Sequence, residues 1–233
     1  MKIIKIIITL LALILSYQSV AQELPVGRYS DAAISNGFKN GIIFSFSGNA
    51  KDNSGDQMTI LFSGETKPGV LARFKGKSFL KVVNEVYMSS GSTDMKSQHV
   101  SYIDPASLKE IYSINLEDGE ITTVEHFHDY PEYMNVGDTI ELKKTTTVSD
   151  KNSKNIISKS QSSLTLAPFD GKEGFFEFCE NEAIYKSEDN FKEISDSFSS
   201  CVIMDEEGKK FGAFIDIDVA GISTRLTGTI EQK

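Results

Sequence analysis

Tryptophan is absent from this chain of 233 residues, and histidine, cysteine and proline are scarce, with three, two and five residues. The absence of tryptophan disfavours a sugar-stacking platform, although eight tyrosines and fifteen phenylalanines could substitute in part. Catalytic signatures are missing as well: the sequence has no G-x-S-x-G elbow, no H-E-x-x-H motif and no glycine-rich phosphate loop. We therefore expect a protein without catalytic residues and without a cofactor.

Long apolar runs are also few, and the one that stands out is IIITLLALIL at residues 6–15. It follows two lysines and ends in small residues, which is the pattern of a secretory signal peptide. A membrane-spanning helix needs about 20 apolar residues, roughly twice this length. We predict that residues 1–21 form a signal peptide, that the chain from Gln22 onward is exported without a membrane span, and that no acylated cysteine anchors it.

Positive charge is in short supply, with 24 Lys and Arg against 33 Asp and Glu and a net charge of −9. Residues 1–21 hold two of the lysines and no acidic residue, so the exported chain would carry 22 basic and 33 acidic residues, a charge of −11. Such a surface repels phosphate backbones, so nucleic acid is not an expected partner. No asparagine begins an N-x-Ser/Thr acceptor, which favours a bacterial protein, either periplasmic or secreted.

The two cysteines, Cys179 and Cys201, both lie in the predicted exported part. An oxidising compartment favours a disulfide between them, and closing a loop of about 23 residues would stabilise the fold by roughly 3 kcal/mol on the chain-entropy model. Their spacing is far from C-x-x-C, so a structural bridge is expected and not a redox pair. Two free buried thiols are the alternative.

The residues that are abundant favour strands. The segments 41–48, 57–64 and 69–76 are short runs of β-branched and aromatic residues that each end in Phe-x-Gly, which we interpret as strands closed by glycine turns. Hairpins are predicted where Asp118-Gly119 separates two such runs and where a polar tip, SDKNSKN, interrupts another pair.

The clearest hairpin is the last. In FGAFIDIDV, five apolar side chains alternate with other residues: Phe211, Ala213, Ile215, Ile217 and Val219. In the following run, Ile222, Leu226 and Ile230 share a face. Alternation with period two indicates antiparallel strands with one face on a core.

We predict an all-β fold: an antiparallel β-sandwich, or a strongly curved sheet or open barrel built from consecutive hairpins. At most one or two short helices are expected, at 104–112 and 188–198. Residues 22–233 form this β-rich part, either as one body or as two halves, 22–130 and 131–233, divided near Pro131.

The most chemically suggestive segment is HFHDYPEY at 126–133. In a strand, His126 and His128 would lie on one face about 6.6 Å apart along the chain, as in many zinc and copper sites. A site would need further ligands, for which His99, Asp129 and Glu132 are candidates. Two imidazoles near a strand end are more often surface residues, so His126 and His128 are weak metal candidates and no metal is predicted.

Acidic residues are dense between the two cysteines. They include Glu180, Glu182, Glu188, Asp189, Glu193 and Asp196. Because any acidic β protein offers many carboxylate pairs, we interpret this segment as a solvated face and not as an acid–base site.

Two functions fit these patterns. The first is an exported, non-catalytic module that recognises another protein, a glycan or part of the cell envelope through its loops or a sheet edge. The alternative is a carrier that holds an apolar, lipid-like ligand in a curved sheet or open barrel lined by phenylalanine, isoleucine and leucine. The sequence does not identify the ligand-binding residues.

Overall fold

A computed structural model describes residues 22–27, 38–51, 55–74, 76–91, 93–149, 155–170, 172–186, 191, 193–219 and 222–232. The predicted signal peptide lies outside the described residues. Within them, helical backbone is confined to residue 27 and to 38–40, and no helix is long and apolar enough to cross a membrane. The predicted all-β antiparallel fold is confirmed.

Fifteen strands account for most of the described chain. The first eight are β1 (Glu23–Pro25), β2 (Ile42–Lys51), β3 (Gln57–Thr66), β4 (Val70–Phe74), β5 (Lys77–Ser90), β6 (Thr93–Ile103), β7 (Glu110–Asn115) and β8 (Ile121–Phe127). The others are β9 (Tyr133–Asn135), β10 (Thr139–Val148), β11 (Ile156–Pro168), β12 (Phe175–Lys186), β13 (Ile194–Asp205), β14 (Lys210–Val219) and β15 (Ile222–Gln232).

Twelve of these strands close into an antiparallel barrel. Its order is β3-β2-β15-β14-β13-β12-β11-β10-β8-β7-β6-β5, and a pairing between β3 and β5 joins the two ends. The fifth strand is long enough to pair twice along one edge, with β4 over its first residues and with β3 over its last. Of the predicted alternatives, the structure therefore adopts the barrel, and the barrel is closed.

Strands from both sides of Pro131 belong to this one sheet. Strand β15 pairs with β2, for example through Ile230 and Phe44. Strand β8, which precedes Pro131, pairs with β10, which follows it. The remaining strands, β1 and β9, form a separate two-stranded sheet.

One end of the barrel interior is packed with apolar side chains, and we call this cluster the filled end. It joins the inner face of β10–β13 to the two-stranded sheet, with these buried residues: Leu24, Val26, Met134, Leu142, Leu164, Leu166, Phe176, Phe178 and Met204. The small sheet thus contributes Leu24 and Met134 to the core of the barrel, and Val26, directly after β1, adds a third side chain. Burial of this set stabilises the fold, since each fully buried large apolar side chain contributes about 1.5–3 kcal/mol.

The glycine turns predicted at two Phe-x-Gly segments are wrong. Gly48 and Gly64 lie inside β2 and β3, and only Gly76 occupies a turn, with φ of +78°. A Cβ atom at Gly64 would lie 2.5 Å from the Phe44 ring, so the missing side chain is what lets that ring lie against β3. Gly48 likewise lets β2 lie close to Arg225 and Leu226 of β15, so both strand glycines serve close packing and not chain reversal.

The hairpins predicted around Gly119, around the 149–155 tip and at 211–230 are all present. At Gly119 the φ of +77° is the left-handed backbone that glycine supplies at low cost. The two predicted helices are not formed where the structure describes them. Asp104 accepts hydrogen bonds from the backbone N–H groups of Ala106 and Ser107 in a turn before β7, and residues 194–198 belong to β13.

Candidate functional site

Facing side chains divide the barrel interior into two sectors. The apolar sector is the inner face of β14, β15, β2 and β3, and its buried residues are Phe46, Ala50, Ile60, Ala213, Ile217 and Leu226. The polar sector is the part of the inner face of β10–β12 beyond the filled end, where the inward residues are Lys143, Thr145, Ser160, Ser162, Glu180 and Glu182. The registers from β10 to β14 pair the inward residues of each strand with inward residues of the next, from one sector to the other.

A cavity of about 590 Å³ lies against the apolar sector. It is lined by inner-face side chains of β2, β3, β5, β6 and β13–β15, including Phe44, Phe46, Phe62 and Phe198, and the polar residues among its lining are Thr66, Ser199 and Ser200. This volume falls within the roughly 300–1,000 Å³ that is usual for small-molecule sites. The lining is more uniformly apolar than most such sites.

Alternation along the strands places these rings in the cavity. In β2, Phe44 and Phe46 face inward while Ser45 and Ser47 face solvent, and β3 presents Phe62 in the same way. The Phe44 and Phe62 rings stack with centroids 5.3 Å apart. The predicted inner face of β14 is confirmed for Ile215, which lines the cavity with Ile217 and Val219.

Phe211 departs from that face. A register shift lies between Ile203 and Met204 opposite it, and Phe211 is 53% exposed with its ring 4.8 Å from that of Phe175, outside the barrel. A bulge of this kind turns one side chain away from the alternating pattern. The predicted shared face is therefore wrong for Phe211, the first of the five residues.

Solvent reaches the cavity, because two of the residues that line it are exposed. Met95 lines it and is 55% exposed, beside the turn that joins β5 to β6. Ser200 lies in the middle of β13, pairs with the inward Ile215, and is nevertheless exposed. An inner-face serine can be exposed only if the space in front of it is open.

The polar sector holds a network of partly buried charges and buried hydroxyls. The Lys143 ammonium lies 3.9 Å from the Glu180 carboxylate, which also accepts a 3.2 Å hydrogen bond from the Tyr130 hydroxyl. Glu182 accepts a 2.6 Å bond from Ser160, whose hydroxyl is 2.8 Å from that of Thr145.

Lys143 remains charged in this setting. Burial alone would lower its pKa, but the carboxylates of Glu180, Glu110 and Glu182 outweigh that effect and raise the pKa above its ordinary value. Three acidic groups therefore act on a single cation.

Ser162 is the one buried side chain among the described residues whose polar atom has no hydrogen-bond partner. It is 0% exposed and lies between Lys143 and Glu182 in the cross-strand register. A buried hydroxyl without a partner costs about 1–3 kcal/mol unless water or a ligand satisfies it.

The cavity and the polar sector meet at β12 and β13. Phe198 and Ser200, which line the cavity, are the direct cross-strand partners of Glu182 and Glu180. A molecule lying along the apolar sector would therefore reach the charged network at one side.

Sequence reasoning missed Glu180 and Glu182, which it assigned to a solvated face. The interpretation is wrong for these two residues because they continue the inward alternation of Phe176 and Phe178 along β12. The period-two spacing from Phe176 to Glu182 carries this signal, whereas a dense run of acidic residues more often indicates a solvated face.

Cys179 and Cys201 form the predicted disulfide, and it lies outside the barrel. They are direct cross-strand partners on β12 and β13 and pack with Phe214 on the outer face. Arg225 covers that ring at 3.9 Å and forms two hydrogen bonds to Asp216, of 2.7 and 2.6 Å. The bridge thus holds two strands together without entering the cavity.

His126 and His128 also lie outside the barrel, flanking the inward Phe127. The structure places Glu141 of β10 beside them, and not the three residues that the sequence suggested as partners. His99 lies on the inner face of β6 within 2.8 Å of the Ser97 hydroxyl, and Asp129 forms an ion pair with Lys109 at 2.7 Å. Glu132 is bound through its backbone carbonyl to Val26 and Gly27.

Comparisons with protein-family models, curated proteins and solved structures find no match to this chain.

Proposed function

We propose that this protein is a non-enzymatic carrier that binds one amphiphilic, lipid-like molecule inside the barrel. The observation that carries the proposal is the apolar cavity of about 590 Å³, which is open to solvent. Four phenylalanine rings facing open space lose the contacts that a filled core would provide, and an apolar ligand restores them. This favours the carrier over a module that acts only through its loops.

The polar sector supports a ligand with a polar end. An alkyl or ring system would lie against Phe44, Phe62 and Phe198, and its head would approach Glu180 and Glu182 across the β12–β13 pairing. Because the carboxylates of Glu180 and Glu182 lie on this side, an uncharged hydrogen-bonding head or a cationic head is favoured over a carboxylate head.

The site is proposed to act in an exported protein. The disulfide between Cys179 and Cys201 is compatible with a periplasmic or extracellular location. A carrier in such a compartment would shield an apolar molecule from water during transit.

Native mass spectrometry of the protein purified from cells tests the proposal first. We expect a bound species that leaves on unfolding and refolding. The refolded protein should then bind the apolar fluorophore N-phenyl-1-naphthylamine with one-to-one stoichiometry. Monoacylglycerols should displace it, with an affinity gain of about fourfold for each added CH₂ until the cavity is full.

Substitution at the cavity wall gives the matched control. Ser200→Trp places an indole in the open space and should weaken probe binding by at least about tenfold. Ser47→Trp, an exposed serine on the outer face of β2, should leave binding unchanged. Absence of saturable probe binding, or equal effects of the two substitutions, would show that the cavity is not a binding site.

A further inference from the structure

The outer face of β8 and β10 carries a second group of residues that the carrier function does not use. His126 lies in β8, His128 follows directly after the end of that strand, and Glu141 lies in β10. The backbone N–H of His128 donates a 2.7 Å hydrogen bond to the Leu142 carbonyl, which holds the imidazole beside Glu141. Phe127 packs inward against the filled end, so the histidines on either side of it are fixed facing outward.

The two imidazoles are directed at one point. Their Nε2 atoms are 2.7 Å apart and their ring planes are nearly perpendicular, at 87°. One ligand atom from each histidine and one carboxylate oxygen of Glu141 all lie within 4.8 Å of one another. Ligand atoms around a tetrahedral zinc ion, with bonds of about 2.0–2.1 Å, are roughly 3.3 Å apart. Small side-chain rotations would therefore bring all three into bonding distance of a single ion.

Neighbouring residues hold the carboxylate in place. Gln161 donates a 2.8 Å hydrogen bond to Glu141 Oε2, which leaves Oε1 as the oxygen available for an ion. Metal-binding carboxylates are commonly oriented by such partners. At present Oε1 is 3.1 Å from the ammonium of Lys144, whose side chain is 35% exposed and can swing into solvent.

We propose that His126, His128 and Glu141 bind a divalent transition-metal ion of the zinc class on the outer face of the barrel. Two imidazoles and one carboxylate suit zinc, nickel and copper ions better than magnesium or calcium, which prefer oxygen ligands. The site faces solvent, so a fourth position is open to water or to a ligand from another molecule. A hydrogen bond between the two histidines is the competing explanation, and it requires no ion.

Titration of the EDTA-treated, full-length exported protein with ZnCl₂ against a chromophoric chelator tests the proposal. We expect one zinc per chain. His126→Ala and His128→Ala should each weaken binding by at least about 100-fold. His99→Ala removes the remaining histidine of the chain, which lies on the inner face, and should have no effect.

Lys144→Gln provides a readout that a simple histidine pair would not give. The variant removes a cation that competes for Glu141, so zinc affinity should rise by about tenfold, as expected for an ammonium roughly 6 Å from a divalent ion in a water-like dielectric. Gln161→Ala, which removes the hydrogen bond to Glu141, should lower the zinc affinity by about tenfold. X-ray absorption of the zinc complex should show two imidazole nitrogens.

Failure to bind one equivalent of zinc would overturn the proposal. So would binding that survives His126→Ala, or a Lys144→Gln variant whose affinity is not raised. All of these residues lie outside the cavity, so probe binding by the same variants reports on the carrier function separately.

Discussion

Leu142, Leu164 and Met204 at the filled end are each 0% exposed, whereas Phe44 and Ile215 beside the cavity are only partly buried. Both groups face the interior of the same barrel and consist of similar residue types. The filled end receives side chains from outside the barrel: Leu24 of β1, Val26 directly after it and Met134 of β9. Among the described residues, no side chain from outside the barrel enters the cavity.

This difference separates stability from binding. Where an extra sheet completes the packing, apolar residues are satisfied within the chain and contribute to folding. Where packing is left incomplete, residues of the same type keep exposed area whose burial can stabilise a complex. The closed barrel makes the contrast possible, because its strands are held by neighbours on both sides and do not need a filled interior at every level.

Truncating one side chain at the filled end and one beside the cavity should give the largest difference in stability. Leu164→Ala at the filled end should lower the free energy of unfolding by about 2–5 kcal/mol, because neighbouring side chains cannot collapse into the space. Ile215→Ala beside the cavity removes the same number of atoms and should cost less than half as much. Urea denaturation of refolded, ligand-free protein measures both. Equal losses would mean that the cavity is closed in solution.

Removing the disulfide should have the next largest effect. The double variant Cys179→Ser and Cys201→Ser opens a loop of about 23 residues and should lower stability by about 2–4 kcal/mol. Apolar-probe binding under native conditions should persist, since the bridge lies on the outer face with Phe214. Reduced wild-type protein should match the variant in both measurements. Loss of probe binding in the folded variant would place the bridge in control of the cavity.

Local sequence patterns predicted the strands and hairpins well. The alternation in 211–219 and the Asp118-Gly119 pair each specify a neighbour only a few residues away, so they need no knowledge of the whole chain. Barrel closure was not predictable in this way. It depends on pairing β15 with β2 and β3 with β5, and the first of these joins segments that are almost the length of the chain apart.

The candidate sites were less accessible to sequence reasoning for the same reason. Glu141 joins His126 and His128 only because β8 pairs with β10 across an irregular register. Lys143, two residues further on, faces inward opposite Ser162, and nothing in its local sequence distinguishes it from the outward Lys144. Which lysine is buried follows from a bulge after Glu141, and a bulge shifts the alternation without leaving a residue signature.

The charged network of the polar sector should show a smaller effect with a clear sign. Lys143→Met leaves the Glu180 carboxylate without its cation and should cost about 1–3 kcal/mol at neutral pH. Adding Glu180→Gln should recover part of that loss, because the uncompensated charge is removed. The double-mutant cycle, measured by urea denaturation, gives the coupling energy. Lys51→Met, at an exposed position, is the control. A coupling energy near zero would mean that the two charges are solvated independently.

The smallest expected change in the free energy of unfolding comes from enlarging a side chain beside the cavity. The same substitution at the filled end is the comparison. Ile215→Phe adds atoms that can extend into open space, so its effect on the free energy of unfolding should stay within about 0.5 kcal/mol, as for a substitution that makes no new clash. Leu164→Phe adds atoms where packing is complete and should cost about 1–3 kcal/mol. The same Ile215→Phe protein should bind the apolar probe more weakly, because the added ring occupies volume that the ligand needs. A variant that is stable yet unable to bind would separate the two roles of the interior, whereas one that is destabilised and still binds would place the ligand elsewhere.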